Sequence, residues 1–306
     1  MQEELCRKVN PEFSGDRLDV YISSIFENKS RSHVQKLIKD EMVKVNGKVR
    51  KSSFILKEND VIDIIVPEPR KLDIKAENIP LTILYEDKDL IVVDKPQGMV
   101  VHPACGNYTG TLVNALLNAC SNLSGINGVI RPGIVHRIDK NTSGILVAAK
   151  NDNAHIKLAE QLKVHSMKRV YYALCEGVIK DDSGTVDTDI GRDPKDRKKM
   201  AVVERGKHAV THYYVIKRFK NNTLVKCRLE TGRTHQIRVH LAHIGHPLVG
   251  DDVYGYKKQR FNLKGQMLHA AVLGFVHPST GDYMEFFSPV PEYFERILCI
   301  LKKELI

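Results

Sequence analysis

Several features that mark particular protein classes are missing from this chain of 306 residues. No run of eighteen apolar residues is present, which excludes a membrane-spanning helix. The segment from Met1 to Asn10 carries Glu3, Glu4 and Arg7 where a signal peptide needs an apolar stretch. We therefore expect a protein that works in the cytoplasm and has no membrane partner.

Common cofactor and cross-linking motifs are absent as well. The six cysteines stand singly without a CxxC pair, which argues against a disulfide framework and against a zinc ribbon. Neither the GxGxxG pattern of dinucleotide sites nor the GxxxxGKS or GxxxxGKT pattern of P-loops occurs. The sequence thus predicts reduced thiols and gives no support for a bound nucleotide cofactor.

Positive charge is present in excess. Lysine and arginine number 47 against 37 aspartates and glutamates, which gives a formal net charge of +10. Hydrophobic residues at 42% and charged residues at 27% are typical of a globular protein. The positive surplus favours a polyanionic partner such as nucleic acid, depending on where the cations lie.

The first part of the chain predicts two short helices and a small sheet. Apolar residues at helical spacing predict the first helix, and they are Leu18, Tyr21, Ile22 and Ile25. A second helix is expected to open at Ser32, which stands at capping-box spacing from Gln35. The dipeptide Asn46-Gly47 is a strong hairpin signal, and a β-rich run covers residues 61–66.

A domain boundary is predicted after this unit. Two prolines in the segment 67–71 cannot donate hydrogen bonds to a strand ladder, so the segment is predicted to be a linker. We expect a small first domain over residues 1–70, a linker over 71–80 and a larger second domain over 81–306.

Basic residues cluster within the small domain. Eight lysines and arginines lie between residues 29 and 51, against Asp40 and Glu41 alone. The cluster is either a solvated helix face or a surface that follows RNA phosphates. The segment resembles the alpha-L RNA-binding module, which implies RNA contacts by Arg17, Arg31 and Lys36. The positions that carry this resemblance are Arg17, Leu18, Asp19, Ser30, Arg31, Ser32, Leu37, Ile38, Val43, Val45, Asn46 and Gly47.

The sequence of the larger domain predicts an α+β fold with a mixed, largely antiparallel sheet flanked by helices. Short apolar strands, such as Leu90 to Val93 and Gly144 to Ala149, alternate with helical stretches. They lack the regular strand-helix period of a doubly wound parallel sheet.

The polar segment 133–144 lies between two apolar stretches and has glycine at both ends. Such a loop displays its side chains. Asp139 stands between Arg137 and Lys140, and a carboxylate near cations stays ionised, as a nucleophile must. From these residues alone, Asp139 is either a reactive carboxylate or a member of a structural turn or salt bridge.

A second polar segment covers residues 229–247. Gly232 ends a strand, and Thr234 is the predicted N-cap of a helix that ends at Gly245. The apolar stripe of this helix consists of Ile237, Leu241 and Ile244. Arg238 lies on one flank of the stripe, where its guanidinium can border a pocket and pair with a buried carboxylate.

Four histidines fall between residues 235 and 246 and raise the question of a metal. No HExxH motif is present, and no carboxylate lies between His240 and His243 on their shared helical face. We therefore expect no metal site and interpret these histidines as core or RNA-facing residues.

Two further segments bear on substrate binding. In the strand that follows Lys168, Tyr171 and Tyr172 point to opposite faces, so only one of them lines a given pocket. The segment 192–200 is predicted to be a basic loop, whose natural use is electrostatic contact with RNA. Its central cations are Arg197, Lys198 and Lys199.

Together these segments resemble the pseudouridine synthases that modify large-subunit ribosomal RNA and carry an appended alpha-L module. The signature occurs as His136 to Gly144 and departs from the usual pattern only at Ile138, where leucine is common. The resemblance continues at Val100 to Pro103, at Tyr171 with Ala173 and Gly177, at Asp196 to Met200, at Gly232 to His240 and at Leu268 to Ala270.

The resemblance implies an isomerase that converts uridine in RNA to pseudouridine without metal or organic cofactor. It implies that Asp139 acts on the sugar or the base of a flipped nucleotide, while Arg137 fills the vacated stack and His136 contacts RNA. Tyr171 would pack on the uracil and serve as proton acceptor, Arg238 would pair with Asp139 and keep it anionic, and Leu268 would complete the apolar wall.

Several alternatives stay open at this point. The chain could be a noncatalytic RNA-binding factor, or a histidine-metal hydrolase if zinc were bound. Residues alone do not separate ribosomal from transfer RNA, nor covalent attack by the aspartate from elimination through a glycal. We expect a monomer that binds RNA, most naturally large-subunit ribosomal RNA.

Overall fold

The computed structural model describes residues 3–26, 31–66, 74–103, 106–120, 123–124 and 132–304. The predicted linker segment 67–71 lies outside these residues. The chain divides into two compact units, Met1–Lys71 and Leu72–Ile306, each of which is described by itself. No helix in the described part of the chain is long and apolar enough to cross a membrane.

The first unit packs two helices against a four-stranded antiparallel sheet of order β1-β4-β2-β3. Its elements are β1 (Glu3–Lys8), a 3-10 turn (Pro11–Phe13), α1 (Leu18–Ile25), α2 (Arg31–Lys39), β2 (Val43–Val45), β3 (Lys48–Val49) and β4 (Val61–Val66). The predicted turn at Asn46-Gly47 is confirmed, with φ of 51° and 73°. A core of its own, which includes Leu18, Ile22 and Leu37, holds this unit together.

The predicted start of the second helix is wrong by one residue. Helix α2 begins at Arg31, so Ser32 lies inside its first turn instead of at the N-cap. Gln35 donates from Nε2 to Oδ2 of the buried Asp19 at 2.7 Å and so ties α2 to α1. A contact across 16 residues therefore determines the position of Gln35, and the local capping pattern does not.

The second unit is built on a ten-stranded sheet of order β10-β9-β11-β12-β8-β13-β7-β6-β5, with β14 paired to β13. Its elements are β5 (Thr82–Glu86), β6 (Leu90–Lys95), α3 (Leu112–Ala119), β7 (Ser143–Ala149), α4 (Asp152–Lys163), β8 (Lys168–Glu176), β9 (Ser183–Arg192), β10 (Met200–Val202), β11 (Lys207–Arg218), β12 (Asn222–Leu229), α5 (Gln236–His243), β13 (Leu268–Val276), β14 (Tyr283–Phe287) and α6 (Glu292–Lys303). Only β7 and β13 pair in parallel among the described strands, so the predicted mixed, largely antiparallel sheet is confirmed.

The parallel pair β7 and β13 brings two distant parts of the chain together. Ser143 and Gly144 pair with His269 and Ala270, so the polar loop before β7 lies beside the start of β13 at Leu268. A Cβ atom on Gly144 would stand 2.2 Å from the carbonyl oxygen of Ala270, and φ at this glycine is +114°. Only glycine permits this close approach of the two strands.

Candidate active site

A cavity of about 530 Å³ opens where the loop before β7, strand β8, the start of α5 and the first residue of β13 meet. Among the residues that line it are Arg137, Asp139, Tyr171, Arg238 and Leu268, which the sequence predicted as site residues. Residues up to 131 positions apart in sequence therefore share one wall. The arrangement is a concave, partly open pocket with one carboxylate among several cations.

Asp139 and Arg238 contact each other inside this cavity. Arg238 donates from Nη1 to Oδ2 of Asp139 at 3.1 Å, as the family resemblance implied. The side chain of Asp139 is 19% exposed, whereas that of Arg238 is 6% exposed. The carboxylate therefore faces the open cavity while the guanidinium supports it from behind.

A second carboxylate, Asp251, fixes Arg238 from the other side. Arg238 donates from Nε to Oδ2 of Asp251 at 2.7 Å and from Nη2 to Oδ1 at 2.8 Å. Burial favours a lower pKa for Arg238, but the hydrogen bond and charge of Asp251, with those of Asp139, raise it. Burial favours a higher pKa for Asp251, and the bonds from Arg238 outweigh burial and lower it. Both groups are charged.

Sequence reasoning named no partner for Arg238 other than Asp139. Asp251 follows the short apolar stretch at Leu248 and Val249, and no motif of those considered marks it. An acidic residue just after a buried stretch was a weak signal, because such residues are common at strand ends. The bidentate geometry that makes Asp251 important appears only in the folded chain.

His235 and Tyr254 form a further side of the site that the sequence did not single out. His235 lies with Nε2 3.8 Å from Oδ1 of Asp139 and with Nδ1 2.8 Å from the hydroxyl of Tyr254. That hydroxyl accepts the amide of Met200 and has its own hydrogen to donate to Nδ1. Burial lowers the pKa of His235. A neutral His235 with its hydrogen on Nε2 then faces the carboxylate.

Tyr171 lines the cavity from strand β8. Its ring packs in the main core together with Ile138 and Leu268, whereas Tyr172 packs on the opposite face against the C-terminal helix cluster. The predicted separation of the two tyrosines is therefore confirmed. Burial raises the pKa of Tyr171, and the positive charge of Arg169 opposes this effect. Its hydroxyl makes no hydrogen bond to any of the described residues.

The start of helix α5 differs from the prediction. Thr234 is not the N-cap, because the helix begins at Gln236 and His235 takes the preceding position in a left-handed conformation with φ of 56°. Gln236 instead ties the preceding turn to the start of the helix, since its Oε1 accepts hydrogen bonds from the Arg233 amide and the Thr231 hydroxyl. This conformation turns His235 and Arg238 toward Asp139.

Two neighbours of Asp139 in its loop differ in exposure and role: Arg137 is exposed, and His136 supports the backbone. Arg137 is exposed at the cavity, where its guanidinium is available to an incoming ligand. His136 also lines the cavity, but its Nε2 accepts the amide of Val147 at 3.1 Å and closes the free edge of β7. Burial lowers the pKa of His136 to about 3, so this side chain is neutral.

The remaining predicted RNA contacts belong to a loop of the second unit and to the first unit, which is described by itself. Arg197, Lys198 and Lys199 lie in the connection between β9 and β10, and none of them lines the pocket. Arg17 pairs with Asp19 at 3.0 Å. The side chains of Arg31 and Lys36 lie outside the described part of the structure.

Two groups of side chains contain residue types that bind metal ions. His240 accepts or donates at both ring nitrogens, to the hydroxyls of Thr211 and Thr188, and is completely buried. In the described residues, Asp87, Asp89 and His277 bring three potential ligand atoms together. His277 accepts two backbone amides at Nδ1, so its Nε2 carries the hydrogen that is donated to Asp87 at 2.8 Å. This cluster is a hydrogen-bond network and does not fit a metal.

Comparisons with known families match both units. The profile of the family described as RNA pseudouridylate synthase matches residues 89–243, and that of the S4 domain matches residues 16–62. The first match contains Asp139, Tyr171 and Arg238, and the second contains all twelve positions of the alpha-L pattern.

Similar proteins cover nearly the whole chain. An uncharacterized RNA pseudouridine synthase of Bacillus subtilis is 52% identical over 95% of this chain and 96% of its own. A protein of Zymomonas mobilis named ribosomal large subunit pseudouridine synthase D is 47% identical over 95% of both chains. A protein of Pseudomonas aeruginosa with the same name is 43% identical over 96% of this chain and 94% of its own.

A solved structure supports the same fold. The human RNA pseudouridylate synthase domain containing 1 superimposes with a TM-score of 0.59 at 25% sequence identity. The match covers 74% of this chain and 96% of the human chain.

Proposed function

Because the chain belongs to the RNA pseudouridylate synthase family, we propose that it isomerises specific uridines of large-subunit ribosomal RNA to pseudouridine. The family, the isomerase class and the S4-type module were predicted from the sequence and are confirmed. The choice of ribosomal RNA is supported by relatives named ribosomal large subunit pseudouridine synthase D. The observation that carries the catalytic proposal is a cavity-facing Asp139 bonded to a buried Arg238.

The reaction needs no co-reactant. The bond from ribose C1′ to uracil N1 breaks, the uracil turns, and a bond forms from C1′ to C5. The proton leaves C5, and N1 gains one. The atoms of substrate and product are the same, so the protein has to supply only binding, orientation and proton transfer.

The target uridine must leave its stack to reach Asp139. Extrusion of a base costs a few kcal/mol, about what unstacking requires. The cavity of about 530 Å³ has the size of a small-molecule site and receives the extruded nucleotide. The exposed Arg137 takes the vacated place in the stack, for which a planar, weakly hydrated guanidinium is suited.

Asp139 acts on the extruded nucleotide, by covalent attack or through elimination to a glycal. Both routes use the same anionic oxygen at the same place. Arg238 orients that oxygen, and the two bonds to Asp251 keep Arg238 from moving. This arrangement is prepared before the substrate arrives, which lowers the reorganisation needed during the reaction.

Tyr171 and Leu268 form the apolar side of the site. The Tyr171 ring packs on the uracil face, and its hydroxyl, which has no hydrogen-bond partner among the described residues, takes up the proton from C5 while it gives its own proton to N1. The phenol therefore stays uncharged before and after the transfer. Leu268, which is the first residue of β13, closes the wall next to it.

RNA outside the cavity is held by cations of both units. The unit from residue 1 to about 70 contributes Arg17, Arg31 and Lys36, and the catalytic domain, predicted over 81–306, contributes the 197–199 cluster. Of the linker predicted over 71–80, Lys75 and Glu77 bond through their backbones to Asn114 of α3, so the second unit begins before residue 81. His136 supports the loop and contacts RNA as a neutral group. We propose that the protein acts as a monomer in the cytoplasm.

The proposed substrate is tested by turnover. Substoichiometric protein is incubated with unmodified large-subunit ribosomal RNA or with transfer RNA, and products are detected with a pseudouridine-specific chemical label because product and substrate have equal mass. The proposal expects several turnovers at discrete positions of the ribosomal RNA. Label only in transfer RNA would overturn the choice of substrate, and salt-sensitive binding without any label would indicate a noncatalytic RNA-binding protein.

A further inference from the structure

Arg169 is a buried cation in the wall of the active site. It lies on β8 two residues before Tyr171, so both side chains point to the same face of the sheet and line the same cavity. Arg169 is 6% exposed, and its Nη2 donates to the carbonyl oxygen of Glu230 at 2.7 Å. Its buried Nε has no hydrogen-bond partner among the residues that the structure describes.

No carboxylate neutralises this guanidinium. Within the described residues no ion pair joins Arg169 to an acidic group, and Arg233, a second cation, lies close enough to lower its pKa in addition to the effect of burial. Among the described residues that line the cavity, Asp139 is the only acidic one, and Arg238 already pairs with it. Two more cations line the same cavity, Arg137 and Lys163.

A buried, unpaired charge is costly to a folded protein. The cost is recovered when an anion enters, because a guanidinium forms strong, paired hydrogen bonds with phosphate oxygens. The phenol of Tyr171 is uncharged, since burial raises its pKa, so it does not supply the missing negative charge. In a site that accepts RNA, the anion at hand is a backbone phosphate.

We propose that Arg169, together with Arg233, binds a backbone phosphate that flanks the extruded uridine. The inference rests on the proposed function and adds to it the group that holds the sugar-phosphate chain while the uracil turns. Gly232 leaves the necessary room, because a Cβ atom there would stand 2.7 Å from Nη1 of Arg169. The phosphate contact keeps the ribose in place after its bond to N1 has broken.

The test uses the full chain and a short stem-loop of large-subunit ribosomal RNA with a single uridine in its loop. In a second set of stem-loops, the phosphate on the 5′ side or on the 3′ side of that uridine is replaced by an uncharged methylphosphonate. The dissociation constant and the single-turnover rate are measured for the wild type and for R169Q. Conversion of the natural stem-loop by the wild type tests the proposed function separately, and the affinities test the phosphate site even if conversion fails.

We expect R169Q and one of the two methylphosphonates each to lower the affinity or rate by about 10- to 100-fold, the range of one charge-assisted hydrogen bond. Combined, the two changes should cost little more than either alone, because they remove the same contact. If the losses caused by R169Q and by the methylphosphonate multiply for both the 5′ and the 3′ replacement, Arg169 contacts neither phosphate and the proposal is overturned.

Three variants separate the contact from a change in folding. R228Q removes an exposed arginine of β12 whose side chain alternates with the buried Cys227 and Leu229, and it should leave rate and affinity within about twofold. G232A keeps Arg169 but displaces its guanidinium, and should reproduce the loss at the same linkage. R169K, which keeps the charge without the planar guanidinium, should recover part of the affinity or rate that R169Q loses. If R169Q leaves the affinity unchanged but alters the pH profile of the rate, Arg169 acts on Tyr171 and not on a phosphate, and the proposal is overturned.

Discussion

Arg238 and Asp251 are joined by two parallel hydrogen bonds of 2.7 and 2.8 Å, which leave only one guanidinium nitrogen for Asp139. Nη1 makes that third bond, at 3.1 Å. All three nitrogens of the guanidinium therefore have fixed directions. Because bidentate pairs have little angular freedom, the position of the Asp139 carboxylate depends on a residue that does not itself line the cavity.

Asp251 is predicted to be a positioning residue. D251N keeps an oxygen for the amides of Val253 and Tyr254 but loses the charge that holds Arg238. We expect the single-turnover rate to fall by about 100-fold, as for small misplacements of reacting groups, with RNA affinity nearly unchanged. The matched control is D252N, because Asp252 is 76% exposed and its oxygen is 3.9 Å from Arg238. Equal rates for D251N and the wild type would contradict the assignment.

The two adjacent tyrosines of β8 provide a paired test of the proton acceptor. Y171F removes the hydroxyl that faces the cavity while keeping the ring that packs on the uracil. We expect the rate to fall by about 100-fold or more, since general acid-base groups contribute on that scale, and RNA affinity to stay the same. Y172F, on the other face of the sheet, should react at the wild-type rate. Similar rates for all three proteins would exclude the Tyr171 hydroxyl from proton transfer.

Stability in acid is predicted to depend on His240. Burial lowers the pKa of this histidine to about 4 in the folded chain, against an ordinary value of 6.5. Between these two pKa values the unfolded chain therefore binds more protons than the folded chain. The free energy of unfolding falls as the pH drops from about 6.5 to 4, by up to about 3 kcal/mol. H240Q should lose this part of the pH dependence. Urea unfolding across that range measures it, and parallel curves for both proteins would contradict the prediction.

Loss of the first unit should weaken RNA binding through charge. The two units have separate cores, so a chain that begins at Leu72 is expected to fold. Its affinity for RNA should fall, and the logarithm of its affinity should depend less steeply on the logarithm of salt concentration, because fewer counterions are released. Filter binding from low to moderate salt measures both quantities. An unchanged slope would show that this unit is not a principal RNA anchor.

Local patterns predicted much of the structure. Helix α1, the turn at Asn46-Gly47 and the strand β7 follow from spacing and turn chemistry that neighbouring residues supply. The polar loop around Asp139 and the flank of α5 that carries Arg238 were predicted to meet, and they line one cavity. These features depend on short stretches of sequence, which explains why they could be predicted.

Other features depend on contacts that the sequence does not reveal. His235 adopts a left-handed conformation before α5, a state uncommon outside glycine, so the predicted N-cap at Thr234 is wrong. Asp251 reaches Arg238 only because the chain after α5 turns back on it, and Arg169 lies under Gly232 only because β8 and β12 pair. The supporting residues around Asp139 therefore could not be identified before the strands were placed.

The central claim is that the carboxylate of Asp139 carries the chemistry, and D139N tests it most directly. Asparagine has the same size and keeps an oxygen for Arg238, so the fold and RNA affinity should persist, as thermal unfolding and filter binding would check. We expect labelled pseudouridine from D139N to fall by about 10⁴-fold or more relative to the wild type, as when a nucleophile is removed. A D139N protein that forms pseudouridine within tenfold of the wild-type rate would contradict the central claim.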